Sequence, residues 1–389
     1  MHLSTPPLAL YLHFPWCVSK CPYCDFNSHA LHGELPQQSY LDALLTDAET
    51  QRDQVGSRRV LSLFLGGGTP SLFSPSAIGR LLERLRERLE IDPAAEITLE
   101  ANPGTIERGR FQDYRAAGIT RVSLGAQSFA PALLERLGRI HSAQDTRIAA
   151  EELHVAGLSN FNLDLMYALP GQDLDGALAD LRSAIELAPA HISHYQLTLE
   201  PGTVFGGRPP AGLPDDELGY EMQRQCQLEL AAAGYRQYET SAYARLGTQC
   251  THNLNYWRFG DYLGVGAGAH GKITSIEDKT VTRTLREREP RRYLARGHHG
   301  APVVTQVKDE ELPFEFMMNA LRLVEGFDQA LYESRTGLSW DTVATGTGRL
   351  EGRGLLIRGG AAGGWRPTEL GQRFLNDLIT EFLPAPSRG

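Results

Sequence analysis

The 389-residue chain holds only five cysteines. The number is odd and small for the length, which excludes a disulfide framework and makes a reducing compartment the expectation. No apolar run approaches the ~18 residues that span a bilayer. The opening MHLSTPPLAL has neither a basic n-region nor an apolar h-region, so no signal peptide is expected. Basic clusters are missing as well. With 38 Lys and Arg against 47 Asp and Glu, the net charge is −9, which argues against nucleic acid as a partner. What remains is ordinary for a globular protein, 41% hydrophobic and 22% charged. A cytoplasmic chain long enough for two domains is the expectation.

Two patterns alternate over the first 200 residues. LALYLHF (8–14), VLSLFLG (60–66), EITLEAN (96–102), RVSLGAQ (121–127), FNLDLMY (161–167) and HISHYQLTL (191–199) are short apolar runs suited to buried strands. Between them lie segments with helical spacing, clearest in SYLDALLTDAETQRDQ and AIGRLLERLRERLE. Repeated strand-then-helix predicts a parallel sheet with helices outside, barrel-like or doubly wound. Six units in about 200 residues suit an incomplete barrel better than a complete one of eight. A helix is expected over 215–234, followed by a stretch dense in aromatic residues and glycine. From about residue 305, FEFMMNALRLVEGF and ELGQRFLNDLITEF read as helices, and LLIRGGAAGGWRPT between them as a hairpin. That is a small, mainly helical, winged-helix-like module. The expected segments are 1–235, 236–304 and 305–389.

Three of the five cysteines fall within eight residues, in WCVSKCPYCDF. Cys17, Cys21 and Cys24 have spacing C-x3-C-x2-C, just after the first strand, and Phe26 stands where a fourth might follow. Three thiolates can hold three corners of a [4Fe-4S] cubane and leave one iron open to an external ligand. Phe26 has no donor atom to fill that position. A zinc site with His13 or His29 as fourth ligand is the alternative. Cys226 and Cys250 read as packing cysteines.

Polar residues then recur at the ends of otherwise apolar strands. LFLGGGTPS brings three glycines to the end of the second strand, where a backbone can approach a ligand closely. Glu100 in EANPGT, Gln127 in GAQSF, Arg139 in LGRIH and Asp164 in NLDLMYALPGQ follow. A buried charge needs a partner, so these residues should face a polar ligand or one another. Any one of them is equally well read as a satisfied structural hydrogen bond. Together they fit a site lined by successive strand ends.

The cysteine motif, with an aromatic residue before its last cysteine, resembles the radical S-adenosylmethionine (SAM) superfamily. The order of the segments from about Leu8 to Gly271 resembles the oxygen-independent coproporphyrinogen III oxidase family within it. The resemblance implies an incomplete (βα)6 barrel, with the open iron chelated by the amino and carboxylate groups of SAM. It implies that an electron from the cluster cleaves the sulfonium to a 5′-deoxyadenosyl radical. Carried over by residue, it implies that Tyr11 contacts SAM near the cluster and Tyr23 lies beside the adenine. Gly67, Gly68 and Thr69 would receive the amino-acid end, and Glu100, Gln127, Arg139 and Asp164 the remaining polar groups.

Two departures resemble one subfamily, the HemW heme chaperones. The oxidising members carry C-x3-C-x2-C-x-C and a long extension ahead of the cluster strand. Here Phe26 replaces the last cysteine and about seven residues precede the strand. CTHNLNYW (250–257) contains H-N-x-x-Y-W, the pattern of the chaperones. It implies His252 as an axial heme ligand, with Tyr256 and Trp257 against the porphyrin. Read without the resemblance, His252 caps a turn and the two aromatics are core. His298 and His299 in GHHG read as a solvated loop. The resemblance implies a chaperone that binds a [4Fe-4S] cluster, SAM and heme and passes heme to an acceptor such as a respiratory protein. It also implies a reductant such as flavodoxin or ferredoxin and a transient contact with a membrane protein. The alternative is an enzyme that decarboxylates coproporphyrinogen III to protoporphyrinogen IX.

Overall fold

The six apolar runs become six parallel strands. The structure, a computed structural model, describes residues 3–105, 110–296, 301–360 and 363–384. Strands β1 (Leu8–Phe14), β2 (Val60–Gly67), β3 (Ile91–Ala101), β4 (Arg121–Gln127), β5 (Phe161–Tyr167) and β6 (His191–Gln196) lie side by side in chain order. Each pairs in parallel with the next. Their C-terminal ends therefore share one rim, the side of such a sheet where sites form. β1 shows why these strands are near-continuously apolar. Leu8, Leu10, Leu12 and Phe14 on one face and Ala9 and His13 on the other are all buried, as in a parallel sheet covered on both faces.

The helices between the strands start where local chemistry favours it. The helix Pro75–Arg86 has Pro75 at its first turn and Ser74 as N-cap, accepting from the Ala77 N–H. Its Ile78, Leu81, Leu82 and Leu85 are buried against the sheet. Each such side chain contributes roughly 1.5–3 kcal/mol of apolar burial.

The sheet extends past both ends of the six strands. After β6 come β7 (Arg236–Glu239) and β8 (Ala242–Ala244), antiparallel. On the other side β1 pairs in parallel with β9 (Asp261–Val265). β10 (His270–Ser275), β11 (Thr280–Leu285) and β12 (Val303–Val307) follow, antiparallel. Among the described residues the two outermost strands, β7 and β12, do not pair, so the sheet is an incomplete barrel.

The C-terminal module is a short hairpin, β13 (Leu356–Arg358) and β14 (Trp365–Pro367), among helices. Its helices are shorter than the amphipathic pattern predicts. The helix over 314–327 is observed as Leu312–Ala320. Beyond it the chain leaves helix to bond β7: Val324 N–H donates to the Tyr238 carbonyl at 3.1 Å, and Leu323 bridges Glu239. The helix over 369–382 breaks at Phe374 into Glu369–Arg373 and Leu375–Thr380. A second core of Phe316, Phe327, Tyr332 and Trp365 also takes Phe259 and Val281 from the middle segment. Division of the chain at 235 and 304 is thus a proposal about segments, with the middle one packed on the C-terminal core. His298 and His299 lie outside the described residues. No helix among the described residues is long and apolar enough to cross a membrane.

A buried ion cluster fastens β9 and β10 to the start of β1. Asp261 accepts from Lys272 Nζ and Thr274 Oγ1, both at 2.8 Å, and pairs with Arg58 at 2.9 Å. Its main-chain N–H donates to the Pro7 carbonyl. Burial alone would raise the Asp261 carboxyl, but Lys272 and Arg58 outweigh it and hold the group below its usual range. Asp261→Ala would strand Lys272 without a counter-ion. We expect it to destabilise the chain by roughly 3–5 kcal/mol in chemical denaturation, against a smaller loss for Asp261→Asn.

Candidate functional site

The cysteine loop leaves the end of β1 and is held largely by main chain. Gly68 N–H donates to the Phe14 carbonyl at 2.7 Å and Thr69 N–H to the Trp16 carbonyl at 2.8 Å. A Cβ on Gly68 would lie 2.6 Å from the Trp16 oxygen, and one on Gly67, at φ +109°, would enter the His13 ring. These glycines are therefore required by the close approach of β2 to the cluster loop. Trp16–Cys17 pairs with His29–Ala30 and closes the loop's base. Phe205 N–H reaches the Pro22 carbonyl across it.

Cys17, Cys21 and Cys24 are all free and partly exposed. They line a cavity of about 150 Å3 together with Tyr23, Gly67, Gly68, Thr69, Glu100, Gln127, Arg139 and Asp164. Burial pushes the Cys17 thiol up, opposed by hydrogen bonds from Thr69 and Ser28. The volume is below the ~300–1,000 Å3 of a typical small-molecule site, so the donor set rather than the space argues for a ligand.

That donor set is unusual. Glu100 Oε2 accepts from the Gly67 N–H at 3.0 Å, and its carboxyl is pushed up to about 8 by burial and by the charge of Asp164. Asp164 is raised too, by burial, although Asn162 and Ser123 donate to it at 2.8 and 3.1 Å. Two carboxylates thus share one cavity, where a cationic ligand would relieve both. Arg139 donates to the Gly125 carbonyl at 2.8 Å and approaches Cys21 Sγ at 3.6 Å. Its buried Nε has no hydrogen-bond partner among the described residues. Gln127 sits at φ +66°, a strained position for a residue with a side chain, and accepts from Tyr195 OH at 3.0 Å. Thiols, paired carboxylates and an orphaned guanidinium nitrogen fit a cluster and a ligand that is both cationic and carboxylated.

The zinc alternative finds no fourth ligand in His13. Tyr11 OH engages its Nδ1 and the Asn27 carbonyl its Nε2, both at 2.9 Å. Among the described residues no three of His, Cys, Asp and Glu converge to hold a single ion.

Two of the residues expected at ligands lie outside the lining of this cavity. Tyr11 does not line the cavity; it props His13 from beneath and stacks on Phe64. His252 lies on the helix Thr251–Trp257 and is only 1% exposed, inside the barrel. Its Nδ1 faces Ser62 Oγ at 3.0 Å and its Nε2 faces Tyr256 OH at 3.1 Å. In this ligand-free conformation both ring nitrogens of His252 thus have a hydrogen-bonding neighbour. Tyr256 packs on Tyr262, and Trp257 lies under the Arg322 guanidinium. Cys250, buried beside Glu96, and Cys226, in the main core, are packing residues. Several residues of the cavity were not anticipated, among them the strand residues Ser123 and Tyr195. Both are polar positions in strands already assigned, the same signal that marks Gln127.

Residues 11–184 match the family model of the radical SAM superfamily, and residues 307–374 that of the HemN C-terminal domain. The chain is 50% identical over 383 residues to the heme chaperone HemW of Escherichia coli (strain K12), covering 98% of this chain and 99% of that protein. The chain belongs to the HemW family. The HemW of Haemophilus influenzae is 49% identical over 97% of this chain and 98% of its own length. The mouse mitochondrial radical S-adenosyl methionine domain-containing protein 1 is 41% identical over 68% of this chain and 60% of that one. Among solved structures, coproporphyrinogen III oxidase (HemN) from Escherichia coli superposes with a TM-score of 0.81 at 22% identity. It covers 97% of this chain and 90% of that one, a likeness of fold. Membership of the radical SAM superfamily implies a [4Fe-4S] cluster and SAM.

The buried, doubly bonded His252 carries a stability consequence. Burial, aided by Arg121, lowers its ring to about 3. The folded chain thus keeps it neutral where the unfolded chain protonates it near 6.5, so its contribution is present above that value and lost as pH falls. We expect His252→Ala to cost roughly 1–3 kcal/mol at pH 7 in denaturant titrations. The penalty should shrink below pH 6.5 by up to ~1.4 kcal/mol per pH unit.

Proposed function

We propose that this chain is a cytoplasmic heme chaperone that binds a [4Fe-4S] cluster, SAM and heme and delivers heme to an acceptor such as a respiratory protein. The observation that carries the reading is the near full-length identity of 50% to a protein named a heme chaperone. Phe26 supports it. At the position of the oxidases' fourth cysteine it is 61% exposed and offers no donor atom. A reductant such as flavodoxin or ferredoxin, and transient contact with a membrane protein, belong to the same proposal.

In this reading Cys17, Cys21 and Cys24 hold the cluster. Gly67, Gly68 and Thr69 receive the amino-acid end of SAM, and Tyr23 lies beside its adenine. When bound, the cluster supplies a single electron to the sulfonium. Glu100 and Asp164 give the cavity its preference for a cation, since a positive ligand offsets the burial and the Asp164 charge that keep Glu100 protonated near neutrality. Arg139 steadies the Cys21 sulfur and leaves Nε for an anionic group. Gln127, fixed by Tyr195, presents its amide.

Because Glu100 ionises only near pH 8, SAM binding should tighten as pH rises from 6.5 to 8.5 in equilibrium dialysis. Glu100→Gln should weaken binding about tenfold at pH 8.5, the loss of one charge-assisted contact, and flatten that dependence. A pH-independent affinity in the parent would remove Glu100 from the site.

The chaperone reading also predicts that cluster-loaded protein given reductant, SAM and coproporphyrinogen III forms no protoporphyrinogen. The same protein charged with hemin should transfer it to an apo-hemoprotein, seen as growth of the acceptor's Soret band. Turnover of coproporphyrinogen would overturn the reading in favour of the oxidase.

A further inference from the structure

We infer that heme sits in the open cleft beside the cluster loop, with His29 as axial ligand. This inference rests on the heme-binding reading above and says where heme goes. The cleft measures about 1080 Å3 and shares Cys24 and Phe26 with the cluster cavity. The neighbouring recess below Tyr11 and Tyr256 measures about 320 Å3. Of these three spaces, only the cleft reaches the upper end of ligand-site volumes, as a macrocycle requires.

The lining suits a flat apolar ring that carries a metal and two carboxylates. Trp16, Phe26, Leu31 and Leu294 supply apolar wall, Phe26 with most of its surface open to solvent. Lys20, Arg288 and Arg291 bring three cations to the rim, the chemistry that receives propionates. Asp25, Glu34 and Glu289 lie there as well, but the Glu289 carboxylate is engaged by the Arg291 and Arg292 N–H groups at 3.1 and 2.7 Å.

His29 is better placed to ligate than His252. Its main chain is fixed, with the N–H on the Pro15 carbonyl at 2.7 Å and the residue paired to Trp16. Its ring lies partly open at the cleft wall, with Asn27 Oδ1 3.4 Å from its Nε2 and the Arg288 main chain as a second hydrogen-bonding neighbour. A half-open imidazole on a rigid backbone beside an aromatic wall is the arrangement axial ligation needs.

The test is a hemin titration of the cluster-loaded full chain, read as a difference spectrum. The parent should show a Soret band. His29→Ala should weaken hemin binding at least tenfold and shift the band, while His29→Met should keep binding with a different band position. Arg288→Glu combined with Arg291→Glu should weaken binding several-fold without moving the band. His252→Ala should leave the band where it is. Parent-like affinity and spectrum in His29→Ala, or parent-like affinity in the double-arginine variant, would overturn the seat while leaving the chaperone reading intact. A parent that takes up no hemin would overturn the chaperone reading itself. Unchanged iron content and melting temperature in the arginine variant separate a lost contact from a lost fold.

Discussion

The contact between the end of β2 and the cluster loop is the constraint on which the site depends. Two main-chain hydrogen bonds, from Gly68 to Phe14 and from Thr69 to Trp16, fix the base of the loop that carries the three thiols. They form only because no Cβ stands between the backbones. Glycine here is a packing requirement first. Any role in receiving a ligand follows from the same bare backbone, since the surface that touches β1 on one side opens to the cavity on the other.

Around that fixed loop the parallel sheet performs an electrostatic task. Because the six strands run the same way, the ends of β3 and β5 bring Glu100 and Asp164 to one cavity. Both are partly buried in the cavity wall, and the charge of Asp164 adds to the cost of ionising Glu100. Such a pair is unfavourable alone and becomes favourable when a cation arrives. The strain of that pair is better understood as stabilisation deferred to the bound state than as an imperfection of the apo chain.

The six barrel strands were legible because parallel strands buried on both faces read as unbroken apolar runs, and β1, β4 and β5 match their predicted bounds. The polar residues at strand ends were legible for the same reason: against an apolar run, Glu100, Gln127 and Asp164 stand out. What lay beyond sequence was long-range pairing. Leu312–Ala320 stops early because β7 competes for the next residues, and amphipathic spacing does not reveal that competitor. His252 shows the same limit. Its motif names a histidine, but only the fold supplies Ser62, 190 positions away, to occupy its nitrogen.

Asn27 adds one more connection. Its side-chain amide donates to the carbonyls of Ala267 and Arg288 at 2.9 and 2.8 Å, while its own carbonyl faces His13. One small residue thus rivets the sulfur-bearing loop to the antiparallel strands outside the barrel. A shift of those outer strands must either shear this rivet or drag the thiols along, so the spacing of the three sulfurs and the posture of the flanking sheet form a single mechanical variable.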